Sequence, residues 1–222
     1  KVKDDNKSML QFGRSMIEML GVLAIIAVLS VGGIAGFTKA MEKFKVNKII
    51  AEYSSILAGL IEYKDNILSN TSNNQVGLTN TIQAIGLVSK DWKKISNLGF
   101  YDPFGNDVYF YSLKVDGGKI ISMDVYIGGE KVVDGKKESP NFSENLCFEL
   151  FNNFAYPLHS EIFRATVASF DSKKGWNDAE FFGDKYCTEN KKCLKNATLT
   201  DFKTACQSCA EGRNKCAFGI RF

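Results

Sequence analysis

Residues 13–37 read GRSMIEMLGVLAIIAVLSVGGIAGF. Over 19–37 only Ser30 interrupts the apolar and glycine residues, a run of 19 positions, against the ~20 that a helix needs to cross a bilayer core. The run is long enough to span a membrane. One carboxylate, Glu18, lies at its front edge. An acidic side chain there costs free energy unless it is protonated, paired or close to the interface, and at the centre of a span the cost is roughly 3 kcal/mol. Two partners are open to Glu18: Arg14, one turn earlier on the same helix, or a cation supplied by another molecule.

The helical pattern continues past the span. Val46, Ile49, Tyr53, Ile56, Leu60, Tyr63 and Ile67 recur at alternating steps of three and four, one apolar stripe on a helix. Ile50, Leu57, Ile61 and Leu68 broaden the stripe, while Glu42, Lys43, Lys48, Glu52, Glu62 and Lys64 supply a wet side. The pattern predicts a helix from Ser15 to about residue 68, hydrophobic over 14–37 and amphipathic over 38–68, with its stripe packed on the domain that follows. A cleaved signal peptide would have a shorter apolar core and a small-residue cleavage site. Lys1, Lys3, Lys7 and Arg14 before the span are matched by Lys39, Lys43, Lys45 and Lys48 after it, so the positive-inside rule sets no orientation.

Residues 69–80, SNTSNNQVGLTN, are polar and predict a connecting loop. The head, 69–222, holds about 150 residues, enough to bury a core. Asp107–Val115 and 119–127 are rich in β-branched and aromatic residues and are separated by Asp116, Gly117 and Gly118, a hairpin signal. In the second run Ile121, Met123, Val125 and Ile127 alternate with Ser122, Asp124 and Tyr126, so one face is buried and the other partly wet. Asp102, Pro103, Phe104, Gly105 and Asn106 form a turn just before. Asn141 and Glu144 fit a capping box opening a helix that places Leu146, Cys147, Leu150, Phe151 and Phe154 on one face. A strand is expected over 161–170, a short helix over 198–210 and a final strand over 216–222. The fold class is α+β: a long N-terminal helix, hydrophobic then amphipathic, packed on a small antiparallel sheet head, with a disulfide-stapled C-terminal region.

Six cysteines, Cys147, Cys187, Cys193, Cys206, Cys209 and Cys216, all fall in the head. An even count after a membrane segment indicates an oxidising compartment and up to three disulfides, with 15 possible connectivities. Cys206 and Cys209 also have the spacing of a zinc knuckle, but Cys187 and Cys193 stand too far apart for the usual second pair. No metal site and no cofactor are expected. Enzymatic signals are thin: the one histidine, His159, lies in no catalytic motif, and nucleophile-elbow, zincin, P-loop and dinucleotide motifs are absent. The chain is not expected to be an enzyme. Asp171, Asp178, Glu180 and Asp184 cluster around Trp176, Phe181 and Phe182 and read as a solvated loop. The formal charge of +3 is too small to argue nucleic-acid binding, although Lys191, Lys192, Lys195, Arg213, Lys215 and Arg221 make the tail basic.

Gly13, four residues, Glu18 and an unbroken apolar helix together resemble the prepilin signature of the type IV pilin superfamily. The resemblance implies a leader at 1–13, cut by a prepilin peptidase between Gly13 and Arg14, and N-methylation of the new first residue. It also implies that Glu18 faces the terminal amine of a neighbouring subunit. That pairing has its own logic, since an amine stranded in an apolar filament core needs a carboxylate. Where the family usually has an aromatic residue or methionine, this chain has Arg14, a second positive charge. The turn from Asp102 to Gly105 resembles the approach to the sheet in type II secretion pseudopilins, some of which bind calcium nearby; here only Asp116 offers itself. Family pilins often join a head cysteine to one near the C-terminus, which implies Cys147 with Cys216. The implied partners are copies of the chain, other pilin-like subunits and an inner-membrane assembly platform. The implied location is the bacterial inner membrane, then a periplasmic or cell-surface filament serving adhesion, motility or DNA uptake. Two alternatives stay open: a type II secretion pseudopilin, and a membrane-anchored, disulfide-stapled binding domain that never polymerises.

Overall fold

The structure is a computed structural model that describes residues 5–72, 74–115, 118–129, 131–133, 136–138, 142–171, 175–209 and 215–222, with backbone alone at 5–18, 131–133, 136–138 and 171. The chain divides into two compact units, Lys1–Lys45 and Val46–Phe222. Helix α1 (Asp5–Glu62) makes up the described part of the first unit and opens the second. It starts ten residues before the expected Ser15.

In the second unit the apolar stripe does what its spacing predicts. Val46, Ile49, Tyr53, Ile56, Leu57 and Leu60 are buried in one cluster with the inner face of a sheet. Tyr63 departs from the stripe and is 39% exposed, because the chain leaves helical geometry there (φ −93°, ψ 6°) before resuming as α2 (Lys64–Ser69), where Ile67 is buried again. The expected loop over 69–80 contains a short strand, β1 (Val76–Gly77), and the first two residues of α3 (Thr79–Ala84).

The fold is α+β, and its sheet is larger than the small one expected. Strands β2 (Lys93–Lys94), β3 (Gly99–Tyr101), β4 (Asp107–Val115) and β5 (Gly118–Tyr126) follow, the last two forming the predicted hairpin. After a separate two-stranded ribbon, β6 (Lys131–Val133) with β7 (Lys136–Glu138), come α4 (Glu144–Glu149), β8 (Arg164–Asp171), β9 (Gly175–Phe182), α5 (Leu199–Gln207) and β10 (Lys215–Arg221). The main sheet has eight strands in the order β2-β3-β4-β5-β10-β8-β9, with β1 also on β4, and every pairing is antiparallel. The C-terminal strand thus sits in the middle. Cys216, Phe218 and Ile220 turn into the core, while Ala217 and Gly219 lie on the outer face beside Thr166 of β8 and Asp124 of β5.

Above the inner face, α4 runs into a π-helical turn over Leu150–Ala155, and Phe151 becomes the centre of an aromatic cluster. Its ring lies 5.0 to 5.2 Å from those of Phe181, Phe202 and Phe218. The predicted face of Leu146, Cys147, Leu150, Phe151 and Phe154 is buried as a unit. The N-cap is Ser143, whose Oγ accepts from the Leu146 N–H at 3.1 Å; Asn141, proposed for that role, lies outside the described residues.

Two expectations need correction. The acidic segment around Trp176 is not a solvated loop: Asp178 and Glu180 belong to β9, which the backbone ladder to β8 holds in place. Cys147 is bonded to Cys206, not to Cys216; the other disulfides are Cys187–Cys193 and Cys209–Cys216. Cys147 on α4 and Cys206 on α5 are both buried in the same core, with their Cα atoms 5.8 Å apart, within the range a disulfide spans.

Candidate functional site

The first unit carries a surface that its own chain leaves uncovered. Over 19–37 every large apolar side chain is between 52 and 73% exposed. The helix contains an 18-residue window of mean hydropathy 2.4, none of it buried. A helix this long, apolar and uncovered is compatible with insertion into a membrane, and exposed apolar surface of this kind is typical of membrane or protein contact sites. The hydroxyls of Ser30 and of Thr38, just beyond the run, are satisfied within the helix. Ser30 Oγ donates to the Ile26 carbonyl at 2.7 Å, and Thr38 Oγ1 donates to the Ile34 carbonyl at 2.9 Å. Neither would be stranded in an apolar medium. Gly21, Gly32, Gly33 and Gly36 have nothing within 4 Å of where a Cβ would stand, so no contact among the described residues requires them, and each weakens the helix by roughly 1 kcal/mol relative to alanine. Gly13, Arg14 and Glu18 lie on α1; their side chains fall outside the described residues.

The second unit grips its part of α1 through a buried polar hub. Tyr53 Oη donates to Asp102 Oδ2 at 2.5 Å, and Asn106 Nδ2 donates to the same oxygen at 2.8 Å. The other oxygen, Oδ1, accepts the backbone N–H groups of Phe104 at 2.9 Å and Asn106 at 2.7 Å. The turn Asp102 to Asn106 is thus wound around its own carboxylate, and that carboxylate is tied to the helix. Burial, and then the adjacent Asp102, hold the Tyr53 phenol well above its ordinary value. On the residue just before Tyr53, Glu52 Oε1 accepts from Trp92 Nε1 at 2.8 Å, and the rings of Tyr53, Trp92, Phe100 and Phe110 pack edge to face in series. Sequence reasoning found the turn and the stripe but missed their junction. Asp102 with two permissive positions after it was the available signal for the turn; nothing local names a tyrosine 49 residues earlier.

The remaining candidates do not converge. His159 Nδ1 lies 2.9 Å from Asp184 Oδ2, and Glu180 pairs with Arg164, so the acidic cluster is divided between two partners. Cys206 and Cys209 are held in different disulfides and form no thiolate pair. Among the described residues no group of three His, Cys, Asp or Glu could hold a metal ion. Asp116, the one calcium candidate, and Arg213 lie outside the described residues. The basic tail is dispersed: Lys191 lies over the Phe182 ring at 4.3 Å, Lys192 over Phe181 at 5.9 Å, and Arg221 belongs to the central strand. Comparison with protein-family models, with curated proteins and with solved structures finds no match.

Proposed function

We propose that this chain is a type IV pilin-like structural subunit. It is inserted through its apolar helix, cut after Gly13 by a prepilin peptidase, and polymerised by an inner-membrane platform with copies of itself and related subunits. The observation that carries this reading is the helix over 19–37: apolar but for Ser30, uncovered by the other described residues, and continuous in α1 with a half that is locked into an antiparallel, disulfide-bonded head. The bilayer covers that surface before assembly, and neighbouring helices cover it afterwards. In the filament Glu18 neutralises the amine that cleavage creates at Arg14 of the next subunit, and the mechanism is assembly rather than catalysis.

The test is Glu18→Ala in the full chain in its native cell, comparing the membrane fraction with filaments sheared from the surface. The expected result is a protein that remains in the membrane with its disulfides formed but is lost from the sheared fraction. Incorporation equal to that of the unaltered chain would overturn the pairing and favour a permanently anchored binding domain.

A further inference from the structure

Helix α1 keeps an apolar side after the run over 19–37 ends. It continues as TKAMEKFK, residues 38–45, to the end of the first unit. Phe37, Met41 and Phe44 follow one another at steps of four and three, which sets them on one side of the helix, and their exposures are 67, 48 and 63%. Lys39, Lys43 and Lys45 are exposed at the same level. The first two, four residues apart, share a side, and Lys45 falls on another. Among the described residues no hydrogen bond or ion pair reaches any of the three ammonium groups. Glu42 is the one carboxylate in the segment, so three lysines against one carboxylate leave a formal charge of +2 over 38–45.

Position along the axis decides what can meet these side chains. Counted from Met19, a hydrocarbon core of ~30 Å takes up about 20 residues at ~1.5 Å each. The core therefore ends near residue 39, and Lys39, Lys43 and Lys45 fall within the next ~9 Å, the layer of the lipid headgroups. Helical side chains lean toward the N-terminus, so Lys43 and Lys45 reach back toward that layer, and Met41 and Phe44 toward its apolar boundary. A partner lying alongside the helix would meet one side only. A layer that surrounds the helix meets all three lysines and the apolar stripe at one depth, the mixed contact that long cationic side chains and interfacial aromatic residues suit. The excess of positive charge selects anionic headgroups over zwitterionic ones, by about fivefold per lysine at such a surface.

We propose that residues 38–45 form a collar that binds anionic phospholipid headgroups at the end of the span, with Lys39, Lys43 and Lys45 on the lipid phosphates and Met41 and Phe44 at the apolar boundary. The proposal rests on reading α1 as a membrane helix and names the lipid that this helix prefers; it does not depend on cleavage or polymerisation. The test reconstitutes the full chain into vesicles of phosphatidylcholine mixed with phosphatidylglycerol. Flotation reads insertion. Extraction with limiting detergent, followed by mass spectrometry of the lipid that stays on the protein, reads the headgroup preference. The retained lipid is expected to be enriched in phosphatidylglycerol at least about fivefold over the vesicle, and an excess of free glycerol phosphate is expected to leave that enrichment in place. The triple variant Lys39→Gln, Lys43→Gln, Lys45→Gln should float equally well but retain lipid in the vesicle's own ratio. The triple variant Lys90→Gln, Lys195→Gln, Lys203→Gln removes as much charge from exposed positions of the second unit and should keep the enrichment. A chain that floats but retains both lipids in the vesicle's ratio, an enrichment that the collar variant keeps, or one that free glycerol phosphate abolishes would overturn the proposal and leave the membrane reading standing. A chain that fails to float would overturn both.

Discussion

Tyr53 donates its only hydroxyl proton to Asp102, and both are buried, so the pair can be tested one atom at a time. Tyr53→Phe keeps the ring contacts with Trp92 and Phe154 and removes the donor. The loss is expected to cost roughly 1.5 to 3 kcal/mol, read as a lower midpoint in denaturant with an unchanged slope. The same phenol sets an alkaline limit. Its value in the fold is raised, so the protonated form is the one the fold favours. That stabilisation is complete below the unfolded value, near ~10, and is lost as pH climbs from there toward the folded value. Denaturation at stepped pH should show stability falling above ~10. Tyr53→Phe should flatten part of that fall. Tyr111, whose phenol is also raised, first by burial and then by Asp124, contributes to the same fall.

The disulfides differ in what they join, and this makes them separable at the level of elements. Cys147–Cys206 closes 59 residues and links α4 to α5, whereas Cys187–Cys193 closes 6 within one loop. In the chain-entropy account these loops are worth about 4 and about 2 kcal/mol. The double replacement Cys147→Ala with Cys206→Ala should therefore destabilise the head more than Cys187→Ala with Cys193→Ala; equal losses in denaturant titrations would contradict the assignment. The elements themselves divide by how local their signals are. The stripe from Val46 to Leu60 and the hairpin about residues 116–118 were readable because periodicity and turn chemistry are properties of neighbouring residues. β9 was not, since Asn177, Asp178 and Glu180 oppose strand propensity and the ladder to β8 overrides it. The central place of β10 and the partner of Cys147 depend on which elements meet, and no spacing along the chain encodes that.

Across the whole molecule, two surfaces were written in different alphabets. The apolar helix is composition, and it was visible in full: length, the front-edge Glu18 and the glycine at 13. The outer face of the sheet is register, since Tyr109, Tyr111, Asp124 and Tyr126 share it only when β4 pairs with β5 as it does. Polymerisation as proposed requires that the chain be processed first, because until the leader is cut the Arg14 nitrogen is a peptide amide and the amine that Glu18 is to meet does not exist. The most direct measurement is the mass of the N-terminal peptide of the protein recovered from the membrane and sheared-surface fractions of its native cell. A peptide beginning at Arg14, with or without one added methyl group, is expected in the sheared filaments. Mature protein that retains residues 1–13 would contradict it.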